Sequence, residues 1–444
     1  MSIQIRNATI VTMCSRYPEP FQGDIIINKD RIEAIIPAQA NTEYASEHAA
    51  APESEMEMQI IDGTGMAVMP GLINAHQHTP MNLLKGFSDD LKLMDWLEQK
   101  MFPAEARMTA EDIYWGSKLS MAEMIRSGTT TFADMYIHMD QIAHAVTETG
   151  MRASLTRGLV FGDDRADERI REAIDLVERW QGGADGRITT MFGPHAPYTC
   201  PPQQLREVIA LAEQYQRPIH IHLAETVEEV SIIREKYGQT PTEYLYQLGL
   251  FEQLHVMLAH GVHLNHRDIG YLRGMRGGIV HNPVSNLKLG CGIAPIVALQ
   301  QHGITVGLGT DGAGSATTLD MFAEIKAAAW LQKLDYGDPT QLSAYDALQL
   351  ATIGSARLLG LDHETGTLET GKKADLILID LVKPHLQPVH HLYSTLAYAA
   401  VGGDVHTTIV NGQVLMRDRQ LLTMDESVVL TEAHTRAKRI VEGI

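Results

Sequence analysis

The chain has 444 residues, 44% hydrophobic and 20% charged, with 37 glycines: ordinary globular composition, with room for one large α/β unit and a smaller satellite. A net charge of −19 without a local basic patch argues against nucleic acid and anionic lipid as partners, and no apolar run approaches the roughly 18 residues that span a membrane. The start, MSIQIRNATIVTM, lacks the basic-then-apolar pattern of a secretory leader, and three scattered cysteines (Cys14, Cys200, Cys291) suit neither a disulfide framework nor a thiolate metal site, so a cytoplasmic protein is expected in which histidine and carboxylate hold any metal.

Residues 1–62 alternate apolar and polar positions in short runs such as Ile3-Gln4-Ile5 and Asp24-Ile25-Ile26-Ile27, with a turn at Asn28-Lys29-Asp30, and are read as the first part of a small β-sandwich. Ala49–Met58 is read as a polar loop. Over residues 63–365 the pattern changes to short apolar strands followed by capped helices, which predicts an α/β architecture, a (β/α)8 TIM-like barrel. Eight strand ends fall near His76, Asp134, Arg157, His195, His222, His260, His281 and Asp311. Helix signals lie between them: Thr109 with Asp112 and then Gly128, Pro201-Pro202, Thr226 with Glu229, and Thr240-Pro241 with Glu243. Residues 366–424 return to strands, with a hairpin signal at Asn411-Gly412, and complete the sandwich from the other chain end. Residues 425–444 are read as a C-terminal helix.

In Asn74-Ala75-His76-Gln77-His78 two histidines at i and i+2 follow an apolar strand, so both side chains point to one face of an extended backbone. Alone, such a pair fits surface histidines as well as metal ligands. The other strand ends change the balance, because His220-Ile221-His222, Ala259-His260-Gly261 and Thr310-Asp311-Gly312 also finish in ligand-type residues. If the barrel closes, His76, His78, His222 and Asp311 reach one axial site that offers three imidazoles and a carboxylate.

The ordered motifs PGLINAHQH, HIHLAET, LAHGV, HNPVSNLKLG and LGTDGAGS resemble the amidohydrolase superfamily over nearly the whole chain, and within it the methylthioadenosine/S-adenosylhomocysteine deaminases most. The resemblance implies the barrel, the split sandwich and the metal site together. Its two-metal members carry a bridging lysine at a middle strand end; here those ends read Leu155-Thr156-Arg157 and Gly193-Pro194-His195, so one divalent metal is expected, zinc first and iron second. By the same resemblance Glu225 protonates the substrate ring nitrogen, while His260 and Asp311 orient the attacking hydroxide.

For substrate binding the resemblance implies Trp96 and Glu105 over the nucleoside, Glu105 accepting two ribose hydroxyls, with His195 contacting the substrate and Ser315 near the purine. Arg157 and Arg169 match positions at the far end, although a shift in Phe161–Glu168 leaves Arg165 as an alternative to Arg169. Pro283, Ser285 and Asn286 are read as scaffold that bonds backbone at the barrel mouth, and His281 as a supporting residue. The expected activity is hydrolytic deamination of an adenosine-like nucleoside, with hydrolysis of another amino- or chloro-substituted heterocycle (an s-triazine, guanine or cytosine) as the alternative. A catalytically dead metal-binding barrel is a third reading, against which the intact Glu225 and His260 speak. The expected partners are a small heterocyclic substrate and further copies of the chain.

Overall fold

The computed structural model describes residues 2–38 and 58–444. In Ser2–Ile10 (β1) the buried apolar positions are Ile3 and Ile5, then Ala8 and Ile10, a change of phase that would turn half the strand inside out. A bulge between Ile5 and Ala8, with Asn7 at φ +56°, absorbs it and keeps all four side chains on the core face. β1 pairs with Phe21–Asn28 (β2), which pairs with Arg31–Pro37 (β3), and runs parallel to Met58–Asp62 (β4) and Met66–Pro70 (β5). The polar loop read at 49–58 lies, except for Met58, outside the described residues.

The next eight strands are parallel and neighbour one another in chain order: Leu72–Gln77 (β6), Thr129–Tyr136 (β7), Arg152–Leu159 (β8), Ile188–Pro194 (β9), Ile219–Leu223 (β10), His255–His260 (β11), Arg276–His281 (β12) and Thr305–Leu308 (β13). Their near-complete burial explains why they read as continuous apolar runs. Every end lies close to its predicted position, the largest gap being Leu308 against Asp311. Side chains complete the seam between β13 and β6: the Thr310 amide donates to Asn74 Oδ1 (3.0 Å) and Asn74 Nδ2 to Thr310 Oγ1 (2.7 Å). Beside them the Asp311 amide donates to the His76 carbonyl (2.9 Å). The capping signals hold, with Thr109 and Asp112 forming a reciprocal box and Gly128 ending that helix at φ +88°.

Leu376–Asp380 (β14), Val405–Val410 (β15), Gln413–Arg417 (β16) and Gln420–Leu421 (β17) add to the N-terminal strands through β5, giving nine strands among the described residues, drawn from both chain ends. Asn411 and Gly412, both at positive φ, make the predicted hairpin turn between β15 and β16. The sheet has its own core, including Ile5, Ile25, Val68 and Leu376. It continues past the division read at residue 62, because β5 hydrogen-bonds to β1 and β14; the barrel begins at Leu72.

A buried ion pair fastens the two units. Arg152 of β8 donates through Nε to Asp375 Oδ2 (2.7 Å) and through Nη2 to Oδ1 (3.2 Å), and Oδ1 also accepts the Asn411 amide (2.7 Å). The C-terminal helix, Glu426–Val441, is capped by Asp425 and bonded to helix Ala110–Ser127 through Arg436 and Arg439 on Asp112. Among the described residues no helix is long and apolar enough to cross a membrane.

Candidate metal centre and active site

The extended backbone at the end of β6 aims His76 and His78 the same way, toward the barrel axis, where Asp311 arrives from beyond β13 and His222 from β10. Asp311 Oδ1 is 3.5 Å from His76 Nε2 and 3.2 Å from His78 Nε2, and His222 Nε2 is 3.4 Å from His78 Nε2. The four predicted ligand residues are thus brought together.

Each ring is fixed from behind. His78 donates through Nδ1 to the Met135 carbonyl (2.7 Å) and His222 through Nδ1 to the His195 carbonyl (2.6 Å). His76 Nδ1 lies 2.9 Å from His220 Nε2. These bonds leave the Nε2 lone pairs facing one another, and His76 Nε2 is buried without a hydrogen-bond partner among the described residues. Converging lone pairs beside a carboxylate repel unless a cation lies between them, so the donor set fits a divalent metal. Burial, reinforced by neighbouring imidazoles, pushes the His220 and His222 pKa values well below the ordinary range, the neutral state a ligand requires. Burial alone would raise Asp311, but the His76 and His78 rings facing it, whose charged forms favour the carboxylate, hold its carboxyl well below the ordinary value. Its other oxygen, Oδ2, accepts from Ser285 (2.6 Å) and Ser315 (2.7 Å).

The backbone adopts unusual conformations to present these groups. Ala224, His260 and Asp311 have φ of +50°, +76° and +65°, a left-handed region costly for residues with a Cβ. At Gly309 the reason for glycine is close approach instead, since a Cβ there would stand 2.7 Å from the His76 amide nitrogen.

Glu225 Oε2 lies 3.7 Å from His260 Nε2. Burial, with Asp311 and Glu229 nearby, raises the Glu225 pKa well above the carboxylate range, which favours its protonated form. Burial lowers His260 to about 3, and the amides of Asn286 (3.0 Å) and Asn282 (3.3 Å) contact its Nδ1. The reading of Ser285 and Asn286 as backbone-bonding scaffold is therefore corrected: both bond side chains, Ser285 holding Asp311 and Asn286 holding His260. Pro283 opens the short helix Pro283–Lys288 that carries them, and His281 is buried with neither ring nitrogen bonded among the described residues.

A cavity of about 380 Å³ opens over the centre, and Trp96, Glu105, His195 and Ser315 all line it, as do Glu225, His260 and Asp311. Arg157 and Arg169 do not, which corrects their expected place at the substrate. Arg157 donates through Nε to Glu172 (2.6 Å) on helix Ala166–Trp180, on the outer side of the barrel wall. Arg169 makes two 2.7 Å bonds to Asp163 and a third to the Val160 carbonyl. Arg165 is no substitute, being exposed and 3.5 Å from the same Asp163.

The roles of three residues escaped the sequence reading. His220 supports His76 from two positions before His222, so strand parity alone could have found it. Tyr136 lines the cavity and donates to Glu105 Oε1 at 2.5 Å. Glu229 was read as a capping partner, and its amide does donate to Thr226 Oγ1 (3.2 Å). Its carboxylate, however, reaches past the cap to accept the amides of Ala224 and Glu225, both at 2.9 Å.

An eight-stranded parallel barrel with histidine and carboxylate gathered at its strand ends has the architecture of the barrel hydrolases. Residues 67–415 match the amidohydrolase family, and the chain belongs to it. It is 48% identical, over 99% of both chains, to a 5-methylthioadenosine/S-adenosylhomocysteine deaminase from Pelotomaculum thermopropionicum. Among solved structures it resembles an adenosine deaminase from Xanthomonas campestris with bound zinc, at TM-score 0.92 and 34% identity, covering 99% of this chain and 98% of that one. It shares its fold with a zinc-complexed atrazine chlorohydrolase from Arthrobacter aurescens, at TM-score 0.88 and 24% identity, covering 98% of this chain and 100% of the other.

Proposed function

We propose that the chain hydrolytically deaminates an adenosine-like nucleoside, replacing the 6-amino group by oxygen and releasing ammonia. The observation that carries this reading is Glu225 Oε2 lying 3.7 Å from His260 Nε2 in a cavity whose wall presents the half-buried carboxylate of Glu105. The full-length relative at 48% identity, itself named a deaminase of such nucleosides, supports it.

His76, His78, His222 and Asp311 would hold one divalent metal, zinc before iron. When bound, such a metal supplies a Lewis acid that lets water ionise near neutral pH. Glu225 gives its proton to ring N1 of the purine, which makes C6 electrophilic, while His260 and Asp311 orient the water oxygen that bonds to C6. Glu225 then carries one proton from that oxygen to the departing nitrogen, which leaves as ammonia, and takes back the second, so that the C6 carbonyl forms and the acid is restored. Trp96 covers the nucleoside, and Glu105, its Oε1 already engaged by Tyr136, anchors the ribose. Ser315 holds Asp311 from the cavity wall and His195 lies against the base. The reading includes a cytoplasmic homo-oligomer, for which the exposed Leu287, Trp330 and Leu334 offer a covering face.

The test is a panel of adenosine, 5-methylthioadenosine, S-adenosylhomocysteine, guanine, cytosine and a chlorotriazine, following ammonia or chloride release, with elemental analysis of the purified protein. Adenosine nucleosides should react best and about one metal per chain should be found. Chloride release from the triazine exceeding ammonia release from every nucleoside would overturn the reading, and full activity dependent on two metals would overturn the mononuclear site.

A further inference from the structure

We propose that Cys291 is a positioning residue for Glu225: its thiol, donating to Oε1, orients the carboxyl so that the proton moved in the reaction is carried on Oε2, beside His260. This rests on the reading of Glu225 as the proton carrier and deepens it.

Among the described residues the Glu225 carboxyl accepts one hydrogen bond, from Cys291 Sγ to Oε1 at 3.9 Å. The other oxygen, Oε2, is the one that faces His260 Nε2 at 3.7 Å. With one contact on each oxygen, both the direction of the side chain and the rotation of its carboxyl plane are set. The thiol occupies Oε1 as an acceptor and leaves Oε2 to bear the proton. Cys291 is buried and does not line the cavity, so it reaches Glu225 from behind and touches no substrate.

The turn that delivers the thiol is built for it. Gly290 at φ +67° and Gly292 at φ +124° flank Cys291, a backbone path costly for residues with a Cβ, and the Cys291 amide donates to the Asn286 carbonyl (2.9 Å). One short segment thereby serves three groups of the centre. Ser285 bonds Asp311 (2.6 Å), Asn286 bonds His260 (3.0 Å) and Cys291 bonds Glu225.

A thiol suits this place because it is a weak donor. A strong donor would favour the ionised carboxylate and draw down its affinity for a proton, whereas a weak one sets direction and leaves that affinity for the chemistry. Burial, with Glu225 and Asp311 nearby, pushes the Cys291 thiol well above its ordinary range, which keeps the S–H bond that donates.

The experiment compares Cys291→Ala, Cys291→Val and Cys291→Ser on the metal-loaded enzyme with adenosine and 5-methylthioadenosine, and records the infrared S–H stretching bands of wild type and Glu225→Ala without substrate. Valine fills the space of the thiol without a donor, and serine keeps a donor. Alanine and valine should each lower kcat by about 3- to 5-fold with KM moved less than about 2-fold, and serine should stay within about 2-fold of wild type. One S–H band should move to higher frequency in Glu225→Ala, where the thiol has lost its acceptor; that of Cys200, which donates to the Leu159 carbonyl (3.2 Å), should stay. Valine at wild-type kcat would mean that packing suffices and would overturn the proposal, as would serine as slow as valine. S–H bands unmoved in Glu225→Ala would overturn it as well, and this arm needs neither turnover nor a folded Cys291 variant. Failure of the unmutated enzyme on every nucleoside would overturn the deaminase reading and this role with it, whereas unmoved bands in an active deaminase would overturn the role alone.

Discussion

Glu229→Gln isolates how Glu225, the proposed proton carrier, is held. In the wild-type chain one buried carboxylate accepts two amides, Ala224 to Oε1 and Glu225 to Oε2, both at 2.9 Å, and so pins a turn in which Ala224 sits at φ +50°. The glutamine amide keeps one acceptor and offers its NH2 group, a second donor, to the other backbone amide. One buried N–H is left unpaired, at a cost of about 1–3 kcal/mol. Ala224 is then free to relax out of the left-handed region, which carries Glu225 away from His260. If that cost appears in the transition state, kcat falls by roughly 5- to 150-fold. Metal content should not change, because His222 belongs to β10 and is fixed by the His195 carbonyl. Steady-state kinetics with elemental analysis separate these outcomes, and KM should move less than kcat. A folded Glu229→Gln enzyme within about 2-fold of wild-type kcat would refute the reasoning; so would loss of the metal, which would mean that the carboxylate holds the ligand strand.

Three further outcomes are expected. Glu225→Gln should keep the metal and lose about 10²- to 10⁴-fold in kcat, whereas His222→Ala should lose metal and activity together, both read by kinetics and elemental analysis. Arg152→Met strands the Asp375 carboxylate where both partners are almost wholly buried, so about 3–5 kcal/mol of stability should go, seen by calorimetry or denaturant unfolding; pairing it with Asp375→Leu should restore most of that. At low pH the C-terminal helix should detach first: burial would raise the Asp112 carboxyl, but Arg439, Thr109 and Arg436 hold it below its ordinary 3.8. Its contribution is present above 3.8 and lost as pH falls through the lower folded value, which hydrogen exchange in Glu426–Val441 would detect as protection lost below pH 3.8 and retained at pH 5.

The barrel was legible because each strand is buried on both faces and stops at a polar residue, so an apolar run with a histidine or aspartate at its end marks both the element and its functional tip. The gathering of His76, His78, His222 and Asp311, which we propose as metal ligands, was legible for the same reason. Arg157 misled because side chains on a strand alternate between faces, and nothing in Leu155-Thr156-Arg157-Gly158 says which parity faces the axis; only its bond to Glu172 does. Arg169 misled because Asp163, six residues earlier, competes for it in a way no periodicity records. The division at residue 62 was early because Met66–Pro70 is as apolar as a barrel strand, and its membership of the outer sheet is decided by pairing with β14, hundreds of residues downstream. Tyr136 and Glu229 act by reaching across the mouth or back past a cap, and local pattern is blind to both.

The seam between β6 and β13 has a kinetic meaning. Asn74 and Thr310 bond each other across 236 residues of chain, and the same closure delivers Asp311 to His76 and His78. The centre is assembled by the longest-range pairing in the barrel, after the intervening strands have supplied the wall between the two ends. Loop-closure entropy makes such a contact late in folding rather than nucleating. A nascent chain stalled before β13 would carry the three histidines of the proposed site without its carboxylate. High-affinity metal uptake during synthesis should therefore mark the arrival of the last barrel strand, and a metal-binding signal would report completion of the fold more sharply than secondary structure does.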